Sequence, residues 1–352
     1  MATFERGIER IAIELVDRTI VTRTSRGDTL VDEVSEQASS VLVAKWEADR
    51  RGRELVEQGF TRIAGESTAP SQLELIAALE ANPDDLETYL VYADWLSERG
   101  EPWGQLIATQ HALATLPRHG VAMRRGELER EESKLLFQHG AKLWGALGET
   151  IVNEATQTYA SDLLGPVWRC GFVRKITVDA RADQSGLFAQ LARLDIMRLL
   201  ESITINSYGW TPGELEAFAA ERWPHLRELV INTEYLEPGE LALDAARLVP
   251  VVDGLVAPRL ADLMVMVSRS TDVLCHALAA SPLANQLRSI VLYRGNFTEA
   301  GIGAFARTRF GALERLSLTG IGPRNAAMTL RSAAKQVMID LRDAPGGADD
   351  DE

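Results

Sequence analysis

The stretch Leu200-Glu201-Ser202-Ile203-Thr204-Ile205-Asn206 returns as Leu226-Arg227-Glu228-Leu229-Val230-Ile231-Asn232. The shared phrase is apolar-x-x-apolar-x-apolar. It also opens at Val173, Leu260, Leu287 and Leu313, and a worn copy starts at Ala334. Successive starts lie 21 to 34 residues apart, and four of the six spacings are 26 or 27. Alternate residues of a strand point to opposite faces. Ile203 and Ile205 therefore face one way, and Ser202, Thr204 and Asn206 face the other. Between phrases, apolar residues such as Leu215, Phe218 and Ala219 recur at helical spacing. One strand and one helix cannot bury that surface alone, so neighbouring units are expected to stack.

A phrase of this kind, repeated every twenty-odd residues, resembles the leucine-rich repeat family. The resemblance covers residues 167–342. It implies an α/β fold: a ribonuclease-inhibitor-like solenoid with a parallel sheet inside the curve and helices outside. The turn asparagine of that family is mostly missing, with Tyr208 and Glu234 in its place. In such an array the residues between the apolar positions line the concave face. Polar residues fill its two ends. Its middle gathers Val230, Met264, Met266, Val291 and Tyr293, with Glu228, Asp262 and Arg315 on the rim. An apolar patch with a polar rim marks a partner site. The wide spacing from Leu226 to Leu260 supplies an insertion, residues 234–258. It either covers the patch or clamps a partner.

Upstream, residues 1–66 read as an α+β domain. Ile11, Ile13 and Leu15 alternate as a strand. Ile20–Thr24 forms a second, and Leu30, Val31 and Val34 a third. Ser35 is expected to cap a helix running to Gln58, which Gly59 ends. This order, closing on Gly59-Phe60-Thr61-Arg62-Ile63, resembles the small WGR domain. In that family the motif tryptophan and arginine read nucleic-acid ends. The matching positions here are Thr24, Ser25 and Arg26, so only the arginine remains. Without an aromatic plate for a base, a structural or protein-binding use is favoured. The competing reading is a nucleic-acid-linked regulator that uses Arg26, Arg50, Arg51 and Arg53.

Residues 69–150 read as helices. Ser71 opens one that places Leu73, Ile76 and Leu79 on one face. Asn82-Pro83-Asp84-Asp85 ends it and caps the next, which carries Leu86, Tyr89, Leu90, Ala93 and Leu96. Gly100 and Pro102 separate that helix from a third, and a long charged helix follows from Met123. The runs Leu75–Asp85, Leu90–Pro102 and Gly104–Ile107 resemble the bacterial repeat-companion domain, a helical module that precedes leucine-rich arrays. That resemblance implies no known activity. Asp94, in mid-helix where aspartate is a poor helix former, is expected to bond the start of a neighbouring helix.

The chain has 352 residues and a net charge of −14, which disfavours a general nucleic-acid binder. Hydrophobic residues make up 46%, enough for a sizeable core. Cys170 and Cys275 lie far apart and form no framework, which suits a reducing cytoplasm. No apolar run is long enough to span a membrane, so no membrane partner is expected. Residues 343–352 read as a disordered acidic tail. The five histidines show no metal-ligand spacing, and no nucleophile elbow or phosphate loop is present. Gly301 and Gly303 read as turn residues. No cofactor, metal or catalytic constellation is expected. The sequence therefore points to a non-enzymatic cytoplasmic adaptor or scaffold that binds a protein, or to the recognition subunit of a separate enzyme.

Overall fold

A computed structural model describes residues 1–117, 119, 121–153, 158–159, 164–180, 186–207, 212–232, 245–266 and 271–342. The chain divides into two units, Met1–Leu135 and Leu136–Glu352, with the division inside helix α5 (Ala122–Trp144).

The first unit begins with an antiparallel sheet. Its strands are β1 (Ala2–Arg6), β2 (Glu9–Val16), β3 (Thr19–Arg26), β4 (Thr29–Gln37) and β5 (Thr61–Ala64), in the order β4-β3-β2-β1-β5. Asp17 and Gly27 turn the chain in the left-handed region, with φ of 52° and 60°. Helix α1 (Val41–Glu57) packs on the inner strands over Phe4, Ile13, Ile20, Ala44, Ala48 and Phe60. One strand has no counterpart in the sequence reading: the charged opening residues form it, because Ala2 and Phe4 alternate inward against Ile13 and Ile11. One expectation shifts. The third strand runs on through Ser35, so the helix is capped by Ser40, whose side chain accepts from the Val43 N–H.

Helices α2 (Gln72–Ala81), α3 (Leu86–Ser97) and α4 (Pro102–Thr115) follow. Ser71 and Glu74 form a reciprocal capping box on α2, and Asp85 caps α3. Leu75, Ile76, Leu79, Tyr89, Tyr92, Leu96, Leu106 and Ile107 form the core, while Leu73 points to solvent. A Cβ on Gly104 would stand 2.4 Å from the Ala93 carbonyl oxygen, so this glycine sets how closely α3 and α4 approach.

The second unit opens with the end of α5, followed by α6 (Gly148–Ile151) and two short paired strands, β6 (Val152–Asn153) and β7 (Thr158–Tyr159). Its main sheet has eight strands: β8 (Leu164–Arg169), β9 (Phe172–Ala180), β10 (Ser202–Ser207), β11 (Glu228–Asn232), β12 (Asp262–Met266), β13 (Ser289–Asn296), β14 (Arg315–Ile321) and β15 (Gln336–Arg342). They lie in chain order across the sheet. Strands β9 to β15 are parallel, and β8 pairs antiparallel with β9. Cys170 and Gly171, with φ of 48° and 81°, form the turn between those two.

The expected ribonuclease-inhibitor-like solenoid is corrected by this topology. The unit is a mixed α/β sheet, not a uniform stack of strand-and-helix repeats. The hairpin at Cys170–Gly171 adds a reversed strand. The described connections differ from one another in length and kind: α7 (Leu187–Arg193), α8 (Pro212–Ala220), α9 (Val249–Gly254), α10 (Thr271–Ala280), α11 (Glu299–Arg307) and α12 (Ala326–Thr329), interspersed with 3-10 turns such as Pro282–Asn285. Equal sequence spacing fixes neighbouring strands in register but not a common unit shape. Gly301 and Gly303 lie inside α11 rather than in a turn. Tyr208, residues 234–244 of the expected insertion and the acidic tail fall outside the described residues.

Candidate functional site

The register of the parallel strands decides which side chains meet. Ser202, Glu228, Asp262, Ser289, Arg315 and Gln336 stand in one row across the sheet. Thr177, Thr204, Val230, Met264, Val291, Ser317 and Met338 form the next. A third row places Asn206 beside Asn232, and Met266 beside Tyr293. All three rows share one face because they are two residues apart. The opposite face carries Ile203, Leu229, Leu263, Ile290, Leu316, Ile205, Ile231, Val265, Leu292 and Leu318, all buried.

The two faces differ in exposure. Val230, Met264 and Met266 are half-buried, and Tyr293 is 37% exposed. Val291 is only 5% exposed, so it supports its neighbours more than it presents surface. Tyr293 sits where β13 slips register between Leu292 and Gly295, and the next residue, Arg294, has φ of 57°. That bulge turns the strand locally. Gly320, with φ of 136°, fits against it; a Cβ there would meet the Gly295 carbonyl oxygen at 2.0 Å.

The rim is bonded within itself. Ser202 donates to Glu228 at 2.7 Å. Arg315 donates to the Ser289 hydroxyl at 2.9 Å and lies 3.8 Å from Asp262. Asn206 donates to Asp179. The polar partners expected from the sequence are therefore placed on one face with the apolar ones, and neighbouring strands hold their side chains.

The arginines of the competing reading are each paired with carboxylates. Arg26 ends β3 and reaches Glu9 at 3.4 Å. Arg51 bridges Glu36 at 2.6 Å and Glu47 at 3.1 Å. Arg50 pairs with Glu47 and Glu54, and Arg53 with Asp49 and Glu98. Carboxylates push the guanidinium pKa of Arg50 and Arg53 upward. Thr24, Ser25 and Arg26 form the end of a strand.

Asp94 does not cap a helix. It accepts a hydrogen bond from the Trp46 indole, and desolvation followed by the nearby Glu98 raises its pKa. Trp95 stacks under the Arg99 guanidinium, 3.6 Å from its ring centroid. Cys170 and Cys275 are free and buried, and burial pushes both thiols up, away from the reactive thiolate. Among the described residues, no group of three or more His, Cys, Asp or Glu could hold a metal ion.

Sequence reasoning missed the residues just ahead of the strands. Arg227, Arg288 and Lys335 precede β11, β13 and β15 and, with Arg315, line a cleft at that end of the sheet. Their signal was present: a basic residue directly before the strand in three copies of the repeated phrase.

Among the described residues, no helix is long and apolar enough to cross a membrane. No family model and no curated protein matches the chain. A solved structure of a Bacteroides fragilis protein, a structural-genomics target, aligns over 98% of this chain and 97% of its own, with 12% identity and a TM-score of 0.37.

Proposed function

We propose that the chain is a non-enzymatic adaptor that holds a protein partner on the open face of its eight-stranded sheet. The carrying observation is the contrast along β12. Leu263 and Val265 are buried, while Met264 and Met266 between and after them remain half-open beside the exposed Tyr293. Met and Tyr supply adaptable and anchoring contacts at interfaces. The self-bonded rim of Ser202, Glu228, Asp262 and Arg315 suits a polar border around such a centre. The likeness of the runs Leu75–Asp85, Leu90–Pro102 and Gly104–Ile107 to the repeat-companion domain, for which no activity is known, suits a binding role. A cytoplasmic setting fits two buried, unpaired cysteines.

The test is comparative affinity capture from the native host, with the retained proteins identified by mass spectrometry. A partner held by the natural chain is expected to be lost with Met264→Glu combined with Tyr293→Glu. It is expected to be kept with Leu73→Glu, an exposed position elsewhere. Equal recovery by all three would remove the sheet face from consideration.

A further inference from the structure

A cleft of about 610 Å³ opens where the strands begin, next to the proposed partner face. Four cations line it: Arg227, Arg288, Arg315 and Lys335, against two carboxylates, Asp262 and Glu314. The local balance is positive on a chain whose net charge is −14. The backbone holds this row firmly. The Arg227 carbonyl accepts from the N–H groups of Ala261 and Asp262 at 2.8 and 2.9 Å. The Arg288 carbonyl accepts from Glu314 and Arg315 at 2.8 and 3.0 Å.

Glu314 shows what the cations can hold. Its carboxylate lies 3.2 Å from Arg288 and 3.4 Å from Lys335, and those two charges keep it below the usual carboxylate range. Arg315 is turned toward Asp262 and Ser289. Arg227 differs: its guanidinium is exposed and makes no hydrogen bond or ion pair with the described residues. With strands about 4.8 Å apart, Arg227, Arg288 and Lys335 stand at intervals of about 10 Å, over about 19 Å in all. An extended peptide covers that distance in about six residues. The cleft lining includes no aromatic residue on which a nucleic-acid base could stack.

We infer that this cleft takes an acidic, extended peptide segment, with carboxylates drawn to Arg227 and to the outward N–H groups of Arg288 and Lys335. The inference rests on the proposal above in one respect: the acidic segment belongs to the protein held on the sheet face. Guanidinium suits the task because it presents several donors in a plane to a carboxylate.

The test is fluorescence anisotropy on the full chain at about 50 mM salt, where surface charges are weakly screened. The probes are fluorescein-labelled octaglutamate, octaglutamine and octathymidylate. Octaglutamate is expected to bind at least about tenfold tighter than octaglutamine and tighter than octathymidylate, with affinity falling as salt rises. Arg227→Glu with Arg288→Gln is expected to weaken octaglutamate at least about tenfold, while Arg227→Lys, which keeps the charge but not the planar fork, loses less than Arg227→Glu. If the double variant melts early, Arg227→Glu alone serves, because that side chain has no partner to lose among the described residues; it is expected to weaken octaglutamate by about threefold or more. Octaglutamate binding no tighter than octaglutamine, unchanged affinity in the cleft variants, or a preference for octathymidylate overturns the inference. None of these results touches the sheet face, which is read by partner capture with Met264→Glu and Tyr293→Glu. The uncharged pair Met264→Gln with Tyr293→Gln is expected to leave octaglutamate affinity within about twofold.

Discussion

Gly301→Ala provides a sharp test of how α10 and α11 are joined. In an exposed helix interior this change stabilises by about 1 kcal/mol. Here the new Cβ would stand 2.1 Å from Oδ1 of Asp272 and 3.1 Å from its Cα. The Asp272 carboxylate cannot stay. It accepts from the Thr298 N–H at 3.0 Å and from the Thr298 hydroxyl. Thr298 in turn caps α11 by accepting from the Ala300 N–H at 3.1 Å. Each bond to a charged acceptor contributes about 1.5–3 kcal/mol at best, and less where solvent reaches it. Losing most of two such bonds outweighs the propensity gain, for a net loss of about 1–3 kcal/mol. Urea unfolding of four chains checks this: natural, Gly301→Ala, Asp272→Ala and the double variant. Asp272→Ala alone is expected to cost about 1–3 kcal/mol. The double variant is expected to be no less stable than Asp272→Ala, because the obstructing carboxylate is already gone. Strictly additive losses would refute the reasoning, since independent sites add and shared contacts do not.

Four further outcomes follow from the same geometry. Leu263→Ala is expected to cost about 2–5 kcal/mol and Met264→Ala under about 1, because adjacent residues of β12 face opposite sides of the sheet; thermal melts of both variants decide it. Gly104→Ala is expected to destabilise the first unit by about 2 kcal/mol or more, since the Ala93 carbonyl oxygen is backbone and cannot swing away, and urea unfolding reads it. Glu74 is held down to about 2 by Lys45 and by the Ser71 N–H and hydroxyl. A depressed carboxyl stabilises above its unfolded value and loses that stability as pH falls, so the deficit of Glu74→Gln, about 1 kcal/mol at pH 7 after screening, is expected to shrink from about pH 5 towards pH 2. Glu132 behaves oppositely: burial raises its pKa although Gln110 donates to it at 2.7 Å. A raised carboxyl stabilises most at acid pH and least at neutral pH, so Glu132→Gln is expected to match or exceed the natural chain at pH 7, with the difference closing towards pH 4 in pH-dependent melts.

The sequence is most legible where one local signal settles one local choice. Ser71 with Glu74 marks a helix start, and both bonds of that capping box are present. The repeated phrase fixes which residues of β9 to β14 point inward, because a one-residue slip would move every leucine to water. The β1 strand was hidden because Glu5 and Arg6 masked the alternation of Ala2 and Phe4. The start of α1 was placed too early because Ser35 and Ser40 are equally good caps, and only pairing with β3 shows that Ser35 is still in a strand. The three-four spacing puts Leu73 on the buried face, yet Leu75 takes that place. Such choices depend on partners far along the chain.

The larger arrangement was lost for a related reason. Periodicity records distances along the chain, and several arrangements of strands share one period. What sets the eight-stranded sheet apart is a reversed strand, β8, attached through a left-handed turn at Cys170–Gly171 that contains none of the repeated phrase. The proposed site depends only on the register of neighbours. Met264 lies beside Val230 and Val291, and Met266 beside Tyr293, whatever path the connections take. The same register explains the cleft. The second residue of the phrase, directly before the strand, must stand beside its counterparts in the next strands. Arg227, Arg288 and Lys335, 61 and 47 residues apart in sequence, are therefore brought to one edge by the pairing that also buries the leucines. The row of basic residues at that edge and the core that holds the sheet together have a common origin in strand register.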